Sequence, residues 1–284
     1  SYHAYRIFTP LPVVALVLLF NSRIKDKTKL FPPLLISGVL LIPLILFTFS
    51  PQGRARAISQ SAFKPSEVES ARIDYDQKSK KPLRFLSKYL YPEPVYYANL
   101  TVKGYMDHFS PVFLFTKGDQ IGRHSQVDMG QIHIFEAILA ITALFFLKTL
   151  NPDTKKLFLT MLILAPLAAT IVLPTPHAYR TLQMSVPLAF FSGLGAYILF
   201  TQVKSNLLKI VIVFTSIYFF ISYLHLLFVH YPAKFGRDWQ EGYRQLVAKI
   251  EKYQQDFEKV YVTNIDQVPY IYLLFYQKYD PQKY

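Results

Sequence analysis

The sequence contains no cysteine, only one tryptophan and few charged residues for a chain of 284 residues. Without cysteine it can form no disulfide, no thiolate metal site and no cysteine nucleophile. Charged residues make up only 17%, which is less than most soluble domains of this length carry. Glycine-rich nucleotide loops and the metalloprotease and serine-hydrolase signatures are also missing, so none of these soluble enzyme classes is indicated.

Apolar residues dominate instead: 52% of the chain is hydrophobic and 16% is aromatic. They are gathered into long runs rather than amphipathic patterns, which is typical of an integral membrane protein. The predicted fold class is mainly α: a polytopic membrane helix bundle with a long outer loop and a small C-terminal α/β appendage. The runs predict about six spans, at residues 9–21, 31–49, 132–147, 157–174, 184–200 and 210–229.

The net charge of +13 has two candidate explanations. Nucleic-acid binding would need a basic face on a soluble fold, so we expect no nucleic-acid partner. The alternative is membrane topology, because short basic connections stay in the cytoplasm. Three short connections are strongly basic, at residues 21–30, 148–156 and 201–209. The segments that alternate with them are predicted to face outside: residues 1–8, 50–131, 175–183 and 230–284.

This topology divides the chain into two predicted parts. Residues 1–229 form the membrane bundle, including the outer loop 50–131, and residues 230–284 form the appendage. Within the outer loop, turn signals and aromatic residues at 91–111 predict short strands or interfacial segments. In the appendage we predict a helix that begins near Asp238, then a short strand at "VYVT". Trp239 could stack on a sugar, although an anchor at the membrane surface is the more usual role.

The stretch "TKGDQIGRHSQVDMGQ", residues 116–131, places many charges at the mouth of an apolar run. The preceding "FSPVFLF" is too short to span, so we expect it to lie on or dip into the membrane interface. Lys117, Arg123 and His124 would then bind a phosphate at head-group depth. Asp107 and Asp119, together with Asp128, could bind a divalent cation or orient the basic groups. The alternative is a solvated loop whose charges pair with one another.

Three further sets of residues are candidates. His177 and Arg180 in "PHAYR" are three apart, so they could face one phosphate; the alternative for Arg180 is an interfacial arginine that snorkels to water. His3 and Arg6 could hold an anionic head group, or could belong to an aromatic and basic interfacial belt. Glu136 lies about one turn into the third run, where an ionisable group suggests either catalysis or structural pairing.

Four stretches resemble a known family: "SYHAYRIFTPLP", "HFSPVFLFTKGDQIGRHSQVDMGQIHIFEAILAI", "PTPHAYRTLQMSVPL" and "YPAKFGRDWQEGYRQ". They look like bacterial membrane glycosyltransferases of the GT-C type, relatives of the protein O-mannosyltransferases and aminoarabinose transferases of glycosyltransferase family 39. The resemblance covers nearly the whole chain and is most specific in the second and third stretches.

The resemblance implies transfer of a sugar from a polyprenyl-phosphate carrier to an acceptor lipid, glycan or protein. It also implies a multi-pass protein of the bacterial inner (plasma) membrane with an extracytoplasmic active side. The family's catalytic carboxylate lies in the first outer loop, which no segment here matches, so the catalytic residue is unknown. Because the chain begins at Ser1, we expect that it lacks an N-terminal part. The alternatives from the residues are an anionic-lipid transporter or flippase and a non-catalytic membrane scaffold.

Overall fold

The computed structural model describes residues 10–23, 26–63, 92–263 and 268–283, together with Ser70 and Tyr89. His3 and Arg6 therefore lie outside the described residues, as does most of the polar segment 64–91. The chain divides into two compact units, residues 1–219 and 220–284, and each is described by itself.

The described residues are mainly helical. Their only β pairing is a single antiparallel bridge between Ser61 and Val172. In the first unit the α-helices are α1 Pro10–Leu19, α2 Phe31–Phe49, α3 Pro51–Gln60, α4 Glu93–Asp107, α5 Ile134–Phe145, α6 Pro152–Leu164, α7 Leu167–Thr170 and α8 Ser185–Gln202. Helix α9, Asn206–His225, crosses the boundary between the units, and α10 Tyr231–Phe235, α11 Tyr243–Tyr253 and α12 Pro269–Tyr276 follow.

Within the described parts of the chain, three helical stretches are long and apolar enough to cross a membrane: Phe31–Phe49, Tyr179–Gln202 and Asn206–Trp239. They match three of the predicted spans. Phe31–Phe49 contains no buried residue, and Leu40 is 73% exposed. Water would strongly disfavour so large an apolar face, whereas lipid would cover it. The mainly helical fold predicted from the sequence is therefore confirmed, and three of its helical stretches are long and apolar enough to cross a membrane.

The count of six spans is not confirmed. Helix α1 has 10 residues and helix α5 has 12. At about 1.5 Å of rise per residue, neither covers a hydrocarbon core of about 30 Å. The predicted span 157–174 is interrupted, because α6 ends at Leu164 and α7 begins at Leu167 after Pro166. Proline lacks the amide that would continue the helical hydrogen bonds, so the break is expected at this position.

The strand predicted at "VYVT" was wrong, and so was the strand alternative for residues 91–111, whereas the interfacial alternative stays a prediction. Residues 93–107 form helix α4, in which Lys103 pairs with Asp107 one turn later at 2.7 Å. Residues 260–263 of "VYVT" form no strand, so the described part of the appendage is helical rather than α/β. The tail helix α11 begins after Gly242, not at Asp238, because the backbone turns through positive φ at Gln240 and Gly242.

The most extensive helix contact joins α5 and α8. Ser192 donates a hydrogen bond to the carbonyl of Glu136 at 3.1 Å. Gly195 lies directly on the backbone of Leu139, where a Cβ would overlap the Leu139 carbonyl. Small residues allow this close approach between membrane helices. Gly193, on the same helix, has open space around it.

The connections at the two ends of the helices in the first unit are also tied together. Arg23 and Asp153, from two of the basic connections, form an ion pair at 3.0 Å. At the other end the amide of Ala62 donates to the carbonyl of Ile171 at 3.0 Å. One contact thus joins two of the predicted inner connections, and the other joins the predicted outer loop to the end of the predicted span 157–174.

Substitution of alanine for Gly195 should lower the free energy of unfolding in detergent by about 1–3 kcal/mol, because the added methyl group forces the α5 and α8 backbones apart. The matched control Gly193→Ala should be neutral or stabilising by up to about 1 kcal/mol, since alanine favours the helix. Denaturation followed by circular dichroism measures both. Equal effects of the two substitutions would contradict the close helix contact.

Candidate functional site

The "FSPVFLF" run, which directly precedes the candidate site, contributes to a hydrophobic cluster. A π-helical turn over Val112–Thr116 buries Phe113 and Leu114, which pack with Ala165 and Met184. Two side chains of the run, Phe113 and Leu114, are therefore part of the protein core, while Val112 is exposed. This packing fixes the start of the charged loop that follows.

The charged loop folds back on itself through Gly118, whose φ of +70° is a conformation that favours glycine. Ser125 donates a hydrogen bond to the carbonyl of Lys117 at 3.1 Å and closes the loop. Inside it, the Asp119 side chain is completely buried, and its Oδ1 accepts the amide of Ile121 at 2.9 Å. The loop therefore holds a buried carboxylate at its centre.

Two hydrogen bonds join this loop region to the "PHAYR" segment. Asp119 Oδ2 accepts the amide of Ala178 at 2.7 Å, and His108 Nε2 accepts the amide of His177 at 3.1 Å. His108 Nδ1 lies 2.7 Å from the carbonyl of Gly104. An imidazole that accepts at Nε2 and faces a carbonyl at Nδ1 must carry its proton on Nδ1. His108 is therefore neutral, and it connects the end of helix α4 to the "PHAYR" segment.

The imidazoles of His124 and His177 lie 4.7 Å apart between centroids and are tilted by 35°, and Tyr179 stacks on His124 at 5.6 Å. Both Nδ1 atoms face the buried carboxylate: Asp119 Oδ2 is 3.6 Å from that of His124 and 3.5 Å from that of His177. These distances are too long for good hydrogen bonds. Both Nδ1 atoms are buried without a hydrogen-bond partner.

Burial keeps these histidines neutral near pH 7. It lowers the pKa of His177 to about 3, assisted by the positive charge of Arg180. Burial also lowers the pKa of His124 against the opposing attraction of Asp119, and it lowers the pKa of His108. Neutral imidazoles offer lone pairs, so the site can bind a cation at nitrogen as well as at the carboxylate. Asp119, His124 and His177 place three such atoms within 4.8 Å of one another.

Arg180 is buried rather than open to the outer surface. Its side chain donates from Nη1 to the carbonyls of Val172 and Leu173 at 3.1 and 3.2 Å. Buried carbonyls need such donors, so Arg180 stabilises the backbone that leads into the "PHAYR" segment. Its charge still acts on His124 and His177.

Lys117 and Arg123 are exposed, and the side chain of His124 is 23% exposed. These three residues are named the basic rim. Among the three, His124 contacts the buried Asp119 and His177, so the structure joins the loop 116–131 to the "PHAYR" segment. The predicted site in "TKGDQIGRHSQVDMGQ" and the one in "PHAYR" are a single cluster.

Other candidates have local partners. Asp107 pairs with Lys103 on helix α4. Glu136 accepts the amide of His133 at 2.7 Å, which caps the start of helix α5. This is the structural role that the sequence left open for Glu136. Sequence reasoning missed His108, whose role depends on a contact with His177, 69 residues further along the chain.

Comparison of the chain with protein-family models, with curated proteins and with solved structures finds no match. The site therefore has to be interpreted from its own geometry and chemistry.

His108→Asn should lower the free energy of unfolding by about 1–3 kcal/mol, because the buried amide of His177 loses its acceptor. The amide oxygen of glutamine can reach the position of Nε2, so His108→Gln should recover about half of that loss or more. Chemical denaturation of the two variants in the same detergent compares them. Identical losses would contradict the bridge from His108 to His177.

The thermal midpoint measured in a chelator should fall as the pH drops below about 6.5, the ordinary value for histidine. The three histidines have lowered pKa values in the fold, so the unfolded chain binds more protons and stability is lost with acid. The loss should continue down toward the pKa of His177, about 3. Replacing the exposed pair His225 and His230 with glutamine is the control and should leave this slope unchanged.

Proposed function

We propose that the protein is a membrane glycosyltransferase that uses a polyprenyl-phosphate-linked sugar, and that the basic rim faces the phosphate of this donor. One observation carries the proposal: the loop 116–131 and the "PHAYR" segment converge on Asp119, where Ala178 donates to the carboxylate at 2.7 Å. Two basic segments, about 60 residues apart in the chain, thus form one surface.

The side chains of that surface suit a phosphate. Arg123 can donate two parallel hydrogen bonds to phosphate oxygens, and Lys117 adds a mobile positive charge. His124 contributes an imidazole whose ring is held by the stacking of Tyr179. Arg180 lies below and contributes its field rather than a direct contact, because its guanidinium is bound to backbone carbonyls.

The position of the cluster along the chain supports a lipid-borne ligand. Tyr179 begins a stretch that is long and apolar enough to span a membrane. A phosphate bound at the rim would therefore lie near a boundary between water and lipid, with its isoprenoid chain beside the helix. The basic connections that contain Arg23 and Asp153 lie at the other end of their helices, as expected if the rim faces the extracytoplasmic side.

In the proposed reaction an acceptor hydroxyl attacks the anomeric carbon, and the bond from that carbon to the phosphate oxygen breaks. The electron pair leaves with the lipid phosphate, and a carboxylate takes the hydroxyl proton. The rim would stabilise the negative charge that develops on the leaving phosphate. The resemblance implies an inverting displacement and a catalytic carboxylate in a loop that no segment here matches. The residues of the basic rim would therefore bind the donor but would not supply the catalytic carboxylate.

A transporter for anionic lipids requires polar groups deep within several spans. The stretch Phe31–Phe49 has no charged residue, and Arg180 is the only charged residue in Tyr179–Gln202, at its start. The other charges near these two stretches lie in the connections at their ends. This distribution of charge therefore agrees better with an enzyme that acts at the membrane surface than with a transporter that carries a lipid across the membrane.

Arg123→Ala should weaken binding of decaprenyl phosphate in nanodiscs about 10- to 100-fold, which corresponds to the loss of a charge-assisted contact of about 1.5–3 kcal/mol. Arg123 is exposed, so the substitution should leave the fold intact. Native mass spectrometry or equilibrium binding with labelled lipid gives the dissociation constants.

Arg54→Ala is the matched control, since Arg54 is also an exposed arginine near the end of an apolar helix. It should change binding by less than about threefold, because Arg54 is not part of the basic rim and would contribute only screened attraction. Equal weakening by both substitutions would mean that general charge attraction binds the lipid, and the phosphate site would be rejected.

A further inference from the structure

The cluster beneath the basic rim contains a feature that phosphate binding does not use. The His177 side chain is only 4% exposed, yet its Nδ1 has no hydrogen-bond partner. The Nδ1 of His124 is buried and equally without a partner. Buried polar atoms almost always have partners, so two orphan nitrogens that face one carboxylate need an explanation.

The arrangement of the three atoms matches the ligand set of a transition metal. Zinc binds imidazole nitrogen at about 2.0–2.1 Å and carboxylate oxygen at about 2.0–2.2 Å, so tetrahedral ligand atoms lie about 3.3 Å apart. Asp119 Oδ2 is 3.6 Å from His124 Nδ1 and 3.5 Å from His177 Nδ1. These separations are a few tenths of an ångström wider, which small side-chain rotations can close.

We propose that Asp119, His124 and His177 bind a divalent transition metal ion, and zinc in preference to magnesium or calcium. Two imidazole nitrogens favour zinc-like ions, whereas magnesium and calcium prefer oxygen ligands. A site of two histidines and one carboxylate leaves a coordination position open for water or another oxygen ligand.

The groups around the three ligands support this assignment. The amides of Ile121 and Ala178 both donate to Asp119, and such outer contacts orient metal-binding carboxylates. A direct hydrogen bond from either imidazole to Asp119 would be the alternative, but both Nδ1 atoms are too far away for it. The ligands come from two loops, so the ion would hold together the segments that form the rim.

The open position would lie on the side of His124, the least buried of the ligands and the neighbour of exposed Arg123. A ligand that approaches along the rim could reach the ion through an oxygen atom. The metal site goes beyond the proposed transfer reaction, since it requires neither a sugar donor nor a lipid.

The test is the zinc content of the full chain, purified in detergent without any phosphate lipid. The protein is incubated with zinc, passed through a desalting column and measured by mass spectrometry of the metal. One zinc per chain is expected in the wild type. Asp119→Asn and His177→Gln should lose it, and a competing chromophoric chelator should show affinity at least about 10-fold weaker.

His124→Gln changes a partly exposed side chain, so it serves as the variant least disturbing to the fold, with circular dichroism as the check. The control His225→Gln/His230→Gln removes an exposed histidine pair that could bind zinc adventitiously. It should retain one zinc per chain. A wild type without stoichiometric zinc overturns the proposal, as does zinc retained in His124→Gln or lost in the control.

Discussion

The site depends on one buried carboxylate. Asp119 has no exposed side-chain surface, and it accepts amides from its own loop and from the "PHAYR" segment. A buried carboxylate is costly unless its oxygens have partners, so the two loops must meet wherever Asp119 is buried. This constraint brings His124 and His177 into contact and leaves Arg123 on the outside. The two loops thus meet, and form one polar cluster, because the buried carboxylate of Asp119 needs hydrogen-bond donors from both.

The membrane imposes the second constraint. Helix α2 exposes its apolar face along its whole length, whereas the loop 116–131 buries polar atoms and returns close to its starting point. Irregular backbone near lipid is tolerated only where protein or a wet cavity satisfies it. Arg180 and His108 provide that satisfaction in the candidate site, since both bind backbone groups. A side chain that the sequence suggests as a ligand-binding group, such as Arg180, can therefore serve to stabilise the loop backbone instead.

Local patterns were sufficient for some parts of the molecule and not for others. Long apolar runs predicted the stretches Phe31–Phe49 and Asn206–Trp239, because length and composition alone decide whether a helix can span. They did not predict the end of α6 before Pro166, since proline within a membrane helix is compatible with either a kink or a break. The helix Glu93–Asp107 was missed because its turn-forming residues lie in the first turn, where proline is favourable.

The candidate site shows the same division. The residue types of the loop 116–131 indicated an anion site, and clustering with His177 and Arg180 was expected from their common side of the membrane. The burial of Arg180 and the bridging role of His108 depend on contacts between segments far apart in sequence. Spacing within one helix carries no information about such contacts. The structure was therefore needed to distinguish the exposed residues of the basic rim from the buried residues that stabilise the backbone beneath it.

The break at Pro166 has a consequence for how the site can move. The carbonyl of Ala165, freed by the break, accepts a hydrogen bond from Gln183 at 2.9 Å. Gln183 belongs to the 3-10 turn Tyr179–Met184 that follows His177, so moving this turn away would leave the buried carbonyl without its donor. A buried carbonyl without a donor is costly, so the position of the turn and that of the broken helix are coupled.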